Sequence, residues 1–161
     1  MSYLYDCLTR YGDCYELNFK VDKKLIYNEL LIFKNDWVQY NPRKNIPRYG
    51  LSITSLDGGL SGIPDLDSVR EYNVKNNLNL DETDFNCPTV LYNELECLHP
   101  LLNYWKPLGR TMLIKSNRGG WFPPHKDEPL LNRTCFRVAV FLGNVDHESY
   151  EWHMEGKNVQ I

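Results

Sequence analysis

A chain of 161 residues, 42% hydrophobic and 24% charged, has the makeup of one soluble globular domain large enough to bury a core. Its formal net charge of −3, with basic residues scattered, excludes a global attraction for nucleic acid or anionic lipid. No apolar run reaches membrane-spanning length and the first residues do not read as a signal peptide, so no membrane association and a cytoplasmic location are expected.

Aromatic residues make up 13% of the chain, which predicts a ring-rich interior or binding face. The cysteines Cys7, Cys14, Cys87, Cys97 and Cys135 are odd in number and form no Cys-x-x-Cys pair, so they read as free thiols. The densest basic stretch, Arg43, Lys44 and Arg48, reads as a solvated loop.

In chain order, Tyr15–Val21 alternates apolar and polar residues, as a strand does. Asp22 can cap a following helix whose buried stripe is Ile26, Leu30, Phe33 and Trp37, ending before Pro42. Tyr49–Leu56 reads as a second strand, closed by the turn residues Asp57-Gly58-Gly59. Residues 57–87 read as a long irregular segment with one short helical turn near Asp67–Tyr72, a position suited to part of a substrate cover. A second helix is expected after Pro88, with Leu91, Leu95, Leu98 and Leu102 on one face; Pro100 either kinks it or begins another.

From Arg110 onward the pattern changes to strands. Thr111–Ser116 is short and apolar and breaks at Asn117-Arg118-Gly119-Gly120, Thr134–Leu142 is the clearest strand, and Tyr150–Met154 is another. Glu155–Asn158 reads as a turn into Val159–Ile161. This order predicts an α+β domain over 1–161, with an N-terminal α/β part over 1–109 and sandwich or barrel strands over 110–161.

The stretch that carries chemistry is Arg118-Gly119-Gly120-Trp121-Phe122-Pro123-Pro124-His125-Lys126-Asp127-Glu128. Residues two apart in an extended chain face the same way, so His125 and Asp127 would present an imidazole and a carboxylate side by side. That pair is two-thirds of a 2-His-1-carboxylate facial triad, which leaves metal positions open. A bare His-x-Asp is weak, since many surface loops contain one; the preceding strand, Gly-Gly turn and stiff Pro-Pro approach strengthen it. In the strand that follows, Phe136, Val138, Val140 and Leu142 share one face, and Cys135, Arg137, Ala139 and Phe141 share the other. Both faces are mostly apolar, so Arg137 is expected to be at least partly enclosed and to need an anion, either a co-substrate carboxylate or an internal salt-bridge partner, the alternative being an arginine at the barrel-end surface. Trp121 and Phe122 could line a substrate pocket or pack the barrel end.

This succession of strand, Gly-rich turn, Pro-His-x-Asp, loop and strand with an internal arginine resembles the aspartyl/asparaginyl β-hydroxylase family of 2-oxoglutarate/iron(II) oxygenases. Arg48–Gly58 is similar to the upstream part of small phage and marine bacterial members. The resemblance is best over residues 110–143. It implies a double-stranded β-helix (a jelly-roll or cupin-like core) with N-terminal helices packed on it. It also implies an iron(II) centre and conversion of 2-oxoglutarate to succinate and carbon dioxide, coupled to hydroxylation of a peptidyl or small-molecule substrate. His125 and Asp127 would be metal ligands and Arg137 would contact the co-substrate; a phage-encoded protein would act in its host's cytoplasm. Two positions depart from the best-known hydroxylases of the family, which have glycine in place of Asp127 and a histidine in place of Ala139.

The resemblance also implies a distal histidine and a distal basic residue, expected beyond Ile161, so the chain reads as a fragment with an incomplete barrel rather than as a degenerate member. A half-built barrel would expose a sheet edge and apolar surface, which favours the fragment. His147 and His153 are the only later histidines. A nine-residue strand spans roughly 30 Å, so His147 is expected far from a site near its start, and His153 returns only a few residues. His99, beside Pro100, reads as structural. The competing reading is a non-catalytic, cupin-like ligand- or partner-binding module in which Arg137 holds the ligand's acid.

Overall fold

A computed structural model describes residues 21–39, 46–60, 68–106, 109–118, 138, 140 and 142, and the backbone of 151–154 and 157–160. Over these residues the protein is α+β, with small antiparallel sheets. The expected strand over Tyr15–Val21 lies outside them, apart from Val21. The double-stranded β-helix remains an expectation.

Helix α1, Lys23–Leu30, begins where Asp22 accepts hydrogen bonds from the Lys24 and Leu25 amides at 2.9 and 3.0 Å. This satisfies two of the donors that a helix start leaves open. The expected stripe is real: Ile26 and Phe33 are buried, and Leu30 and Trp37 pack against the same core. The helix itself is shorter than expected. Beyond Leu30 the amides of Leu31, Ile32, Phe33, Lys34 and Asp36 each bond the carbonyl three residues back, tightening the chain into turns that still aim Phe33 inward. Strand β1, Val38–Gln39, follows.

Strand β2, Arg48–Ser52, is central in a three-stranded sheet, between β1 and β5, Met112–Ser116. Its register sets Arg48 opposite Ser116, Gly50 opposite Ile114 and Ser52 opposite Met112. The expected single strand over 49–56 is instead two. The amides of Ile53 and Thr54 both donate to the Thr111 carbonyl, at 2.9 and 3.1 Å, so two residues oppose one. Such a bulge bends a strand. Beyond it β3, Thr54–Ser55, leaves the first sheet and pairs with β4, Cys87–Pro88.

Between β3 and β4 the chain carries more structure than its Gly, Asn and Asp content predicts. Helix α2, Val69–Asn76, is capped by Ser68 and ends at Asn77, whose φ of 53° is left-handed. The buried Asn73 side chain both donates to the Leu80 carbonyl (2.7 Å) and accepts from the Leu80 amide (3.1 Å). A 3₁₀ turn, Glu82–Asp84, opens with a capping box between Asp81 and Asp84. The substrate cover expected here is therefore, over its described part, a helix and a turn fastened by side chains.

After Thr89, α3 (Val90–Glu94), a 3₁₀ turn (Glu96–Leu98) and α4 (His99–Trp105) replace one long helix, with Pro100 in the first turn of α4. Leu95, at φ −88° and ψ 70°, makes the break. The leucine face survives it: Leu91, Leu95, Leu98 and Leu102 are all buried, in one cluster with Ile26, Phe33, Leu51, Ile53 and Leu113. The core thus lies between α1, the α3–α4 segment and one face of the sheet. Near the C-terminus β6, Glu151–Met154, pairs antiparallel with β7, Lys157–Gln160, so the last strand begins earlier than expected.

Candidate functional site

The proposed metal ligands His125 and Asp127, and with them Arg137, Trp121, Phe122 and His147, lie outside the described residues. What is described is the lead-in. β5 ends at Ser116 as the sequence predicts, and the Asn117 amide donates to the Pro47 carbonyl at 3.0 Å. The chain therefore leaves the sheet from a fixed point, fastened to the start of β2, eight residues before His125.

The strand expected over 134–142 requires correction where it is described. Val138, Val140 and Leu142 belong to no strand, and Val138 and Val140 are each 38% exposed. Of these three, Leu142 packs against the core cluster.

His153 sits on β6 opposite Asn158. His99 has a ring nitrogen, Nε2, 2.9 Å from the Tyr92 carbonyl, which ties α4 to α3. No group of three or more His, Cys, Asp and Glu residues suited to a metal occurs among the described residues. Nor is any helix among them long and apolar enough to cross a membrane.

Two thiols are described, and both Cys87 and Cys97 are free. Burial, then the hydrogen bond and negative charge of Glu29 and the charge of Asp22, push the Cys97 thiol up from 9.0 to about 12. The Glu29 carboxylate also accepts from the Cys97 amide, at 3.3 and 3.4 Å. Because the folded state holds this proton more tightly than an unfolded chain, its contribution to stability is complete below about 9. It is lost as the pH climbs toward about 12. Cys97 is accordingly expected to alkylate slowly up to pH 9, and Cys97→Ala to flatten the alkaline loss of stability; both are measurable by iodoacetamide labelling and by melts between pH 8 and 11. Rapid labelling of Cys97 at pH 8 would contradict the assignment.

A feature the sequence reading missed runs along β2. Arg48, expected in a solvated loop, is 2% exposed. Side chains alternate along a strand, and Leu51 faces the apolar cluster. Arg48, Gly50 and Ser52 therefore occupy the opposite face. The signal was present in Arg48-x-Gly50-x-Ser52, a polar period of two interleaved with Tyr49 and Leu51. Ser52 and the neighbouring buried Thr54, Ser55 and Thr89 form a run of hydroxyls. Thr54 donates to Gly109 O at 3.0 Å, Ser55 lies 3.5 Å from Asp57 Oδ1, and Thr89 donates to Ser52 O at 2.7 Å. The Ser52 hydroxyl itself is buried without a hydrogen-bond partner. On the core face, Lys115 Nζ lies 4.2 Å from the Trp37 ring centre and 5.6 Å from that of Tyr49, a cation–π contact that joins β5 to β2 and to the residue just before β1.

No family model, curated protein or solved structure matches the chain.

Proposed function

We propose that this protein is a non-haem iron(II), 2-oxoglutarate-dependent hydroxylase, with His125 and Asp127 as two metal ligands and Arg137 as a contact for the co-substrate. The observation that carries the reading is the Pro-Pro-His-x-Asp sequence beginning at Pro123, in the stretch of chain that follows β5. A strand fixed by pairing and by the Asn117–Pro47 bond is a suitable base for ligands that must hold a set geometry.

The donor set fits the metal. A neutral imidazole and a carboxylate suit iron(II), and two protein donors beside a third leave room for a bidentate co-substrate. When bound, iron with 2-oxoglutarate and oxygen would supply oxidation of an unactivated C–H bond. The chain's own task is binding, orientation and exclusion of water. His125 and Asp127 orient the metal, Arg137 holds a carboxylate by a planar fork of donors, and Trp121 and Phe122 give the substrate an apolar wall. The double-stranded β-helix belongs to this proposal, as does a substrate that is a peptide side chain or a small molecule.

The test is succinate formation from 2-oxoglutarate by the full-length gene product. Formation should require added iron(II). His125→Ala and Asp127→Ala should each lower it by more than about 100-fold, since even groups that merely support metal ligands are worth about 10–100-fold. Succinate formation that is indifferent to iron, or unchanged in both variants, sinks the proposal. Ligand binding with no metal dependence would instead favour a cupin-like binding module.

A further inference from the structure

We propose that Asp57 and Gly58 form a site of spontaneous backbone modification, at which the folded chain converts Asp57 to isoaspartate through a cyclic imide and thereby loosens the β3–β4 pair. The site stands apart from the oxygenase reading and uses none of its residues.

The chemistry begins with a neighbour pair: Asp57 is the only aspartate in the chain that glycine follows. The backbone nitrogen of the next residue can attack an aspartate carboxyl carbon, and a glycine there has no Cβ to crowd the attack. A bond forms between Gly58 N and Asp57 Cγ, a Cγ–O bond breaks, and the amide proton leaves with the carboxyl hydroxyl as water. Water then opens the imide. Breaking the new Cγ–N bond restores aspartate; breaking the original peptide C–N bond leaves a chain that runs through Cγ and is one carbon longer. One water leaves and one enters, so no oxidant, reductant or cofactor is needed.

Three features of the fold favour the step. First, Asp57 Oδ1 accepts a hydrogen bond from the Gly59 amide at 2.9 Å. The ring closed by this bond contains the Gly58 nitrogen, so the carboxyl is kept folded back toward the atom that attacks it, an arrangement a disordered chain only visits. The same amide, with the Ser55 hydroxyl 3.5 Å from that oxygen, also stabilises negative charge building on it during attack. Second, no acceptor among the described residues engages the Gly58 amide, so no hydrogen bond has to break first. Third, Asp57 is exposed, and water reaches the imide to open it.

The extra carbon falls where the turn is tight. Gly58 has a φ of +82°, and even a Cβ on it would stand 3.2 Å from the Pro88 carbonyl oxygen. Beside it Thr54 pairs with Pro88 and Ser55 with Cys87, and the Thr89 amide donates to the Ile53 carbonyl at 3.0 Å. Lengthening the turn pushes it against β4, so these bonds open more often.

The test holds the full-length protein at 37 °C and pH 6, folded or unfolded in urea, and then digests it. Isoaspartate is read by chromatography and mass spectrometry as a peptide of unchanged mass and shifted retention that an isoaspartyl carboxyl methyltransferase labels. It is expected to accumulate at position 57 at least as fast in the folded protein as in urea. It should be absent at that position in Asp57→Glu, an exposed substitution that leaves the fold intact but would require a six-membered ring. Deuterium exchange at the Thr89 amide should be faster in the modified protein than in the fresh one. Slower accumulation in the folded protein than in urea, or a signal that persists in Asp57→Glu, overturns the site; unchanged exchange at Thr89 in the modified protein overturns the loosening of β3 and β4.

Discussion

Phe85→Ala is expected to lower the unfolding free energy by about 3–5 kcal/mol. Phe85 is fully buried, yet it lies outside the main apolar cluster, just after the 3₁₀ turn Glu82–Asp84 and before β4. Its ring lies under Arg110, whose guanidinium carbon is 5.9 Å from the ring centre. Arg110 in turn reaches Glu82 at 3.7 Å, and its amide donates to the Glu82 carbonyl at 3.0 Å. Truncation therefore leaves a void beneath a polar clamp as well as losing apolar contact. Urea denaturation gives the value directly, and a loss below about 1 kcal/mol would show that the site collapses freely.

Gly109→Ala should also be severe, for a different reason. A Cβ there would clash with the Glu82 carbonyl oxygen and stand 2.9 Å from the Thr83 Cα, both backbone atoms that cannot turn away. The two segments would have to part, straining the Arg110–Glu82 bond and the hydroxyl bonds that Thr54 and Thr111 make to the Gly109 carbonyl. Overpacking of this kind costs about 1–3 kcal/mol, and loss of the bonds adds to it. Gly59→Ala is the control. Its Cβ would meet only the movable Asp57 side chain, at 3.1 Å, so less than about 1 kcal/mol is expected in the same assay. Equal losses at both positions would contradict the steric account.

Periodicity made much of the interior legible. The stripe Ile26, Leu30, Phe33, Trp37 and the leucine face from Leu91 to Leu102 depend on apolar spacing, and both point inward as read. Asp22 as a cap depends on a local bond between one side chain and the next turn, which sequence also displays. The mixed α+β character followed from the same patterns.

Element ends were less legible because they depend on bonds between distant segments. The division of residues 49–56 into two strands turns on the Thr111 carbonyl receiving two amides from across the sheet. Helix α2 was underestimated because Asn and Asp were weighed as breakers. Asn73 instead bonds Leu80 with both ends of its amide, and Asn77 supplies the left-handed cap. Charge was misjudged at Arg48, where proximity to Arg43 and Lys44 suggested solvent while the strand period of two placed it inside. Val138 and Val140 show the opposite error. Alternation alone suggested a central strand, although Val138 and Val140 are exposed.

Of the candidate site, the sequence displays the donor types, and the fold displays the fixed lead-in through β5 and Asn117. Ligand geometry is a matter of tertiary placement, so the spacing of His125 and Asp127 can suggest it but not determine it.

The most direct test is an anaerobic titration of the full-length protein with iron(II) in the presence of 2-oxoglutarate, followed by visible absorption. The account predicts a metal-to-ligand charge-transfer band that saturates near one iron per chain and disappears in His125→Ala. A band of full strength in His125→Ala, or none in the unaltered protein, would contradict it.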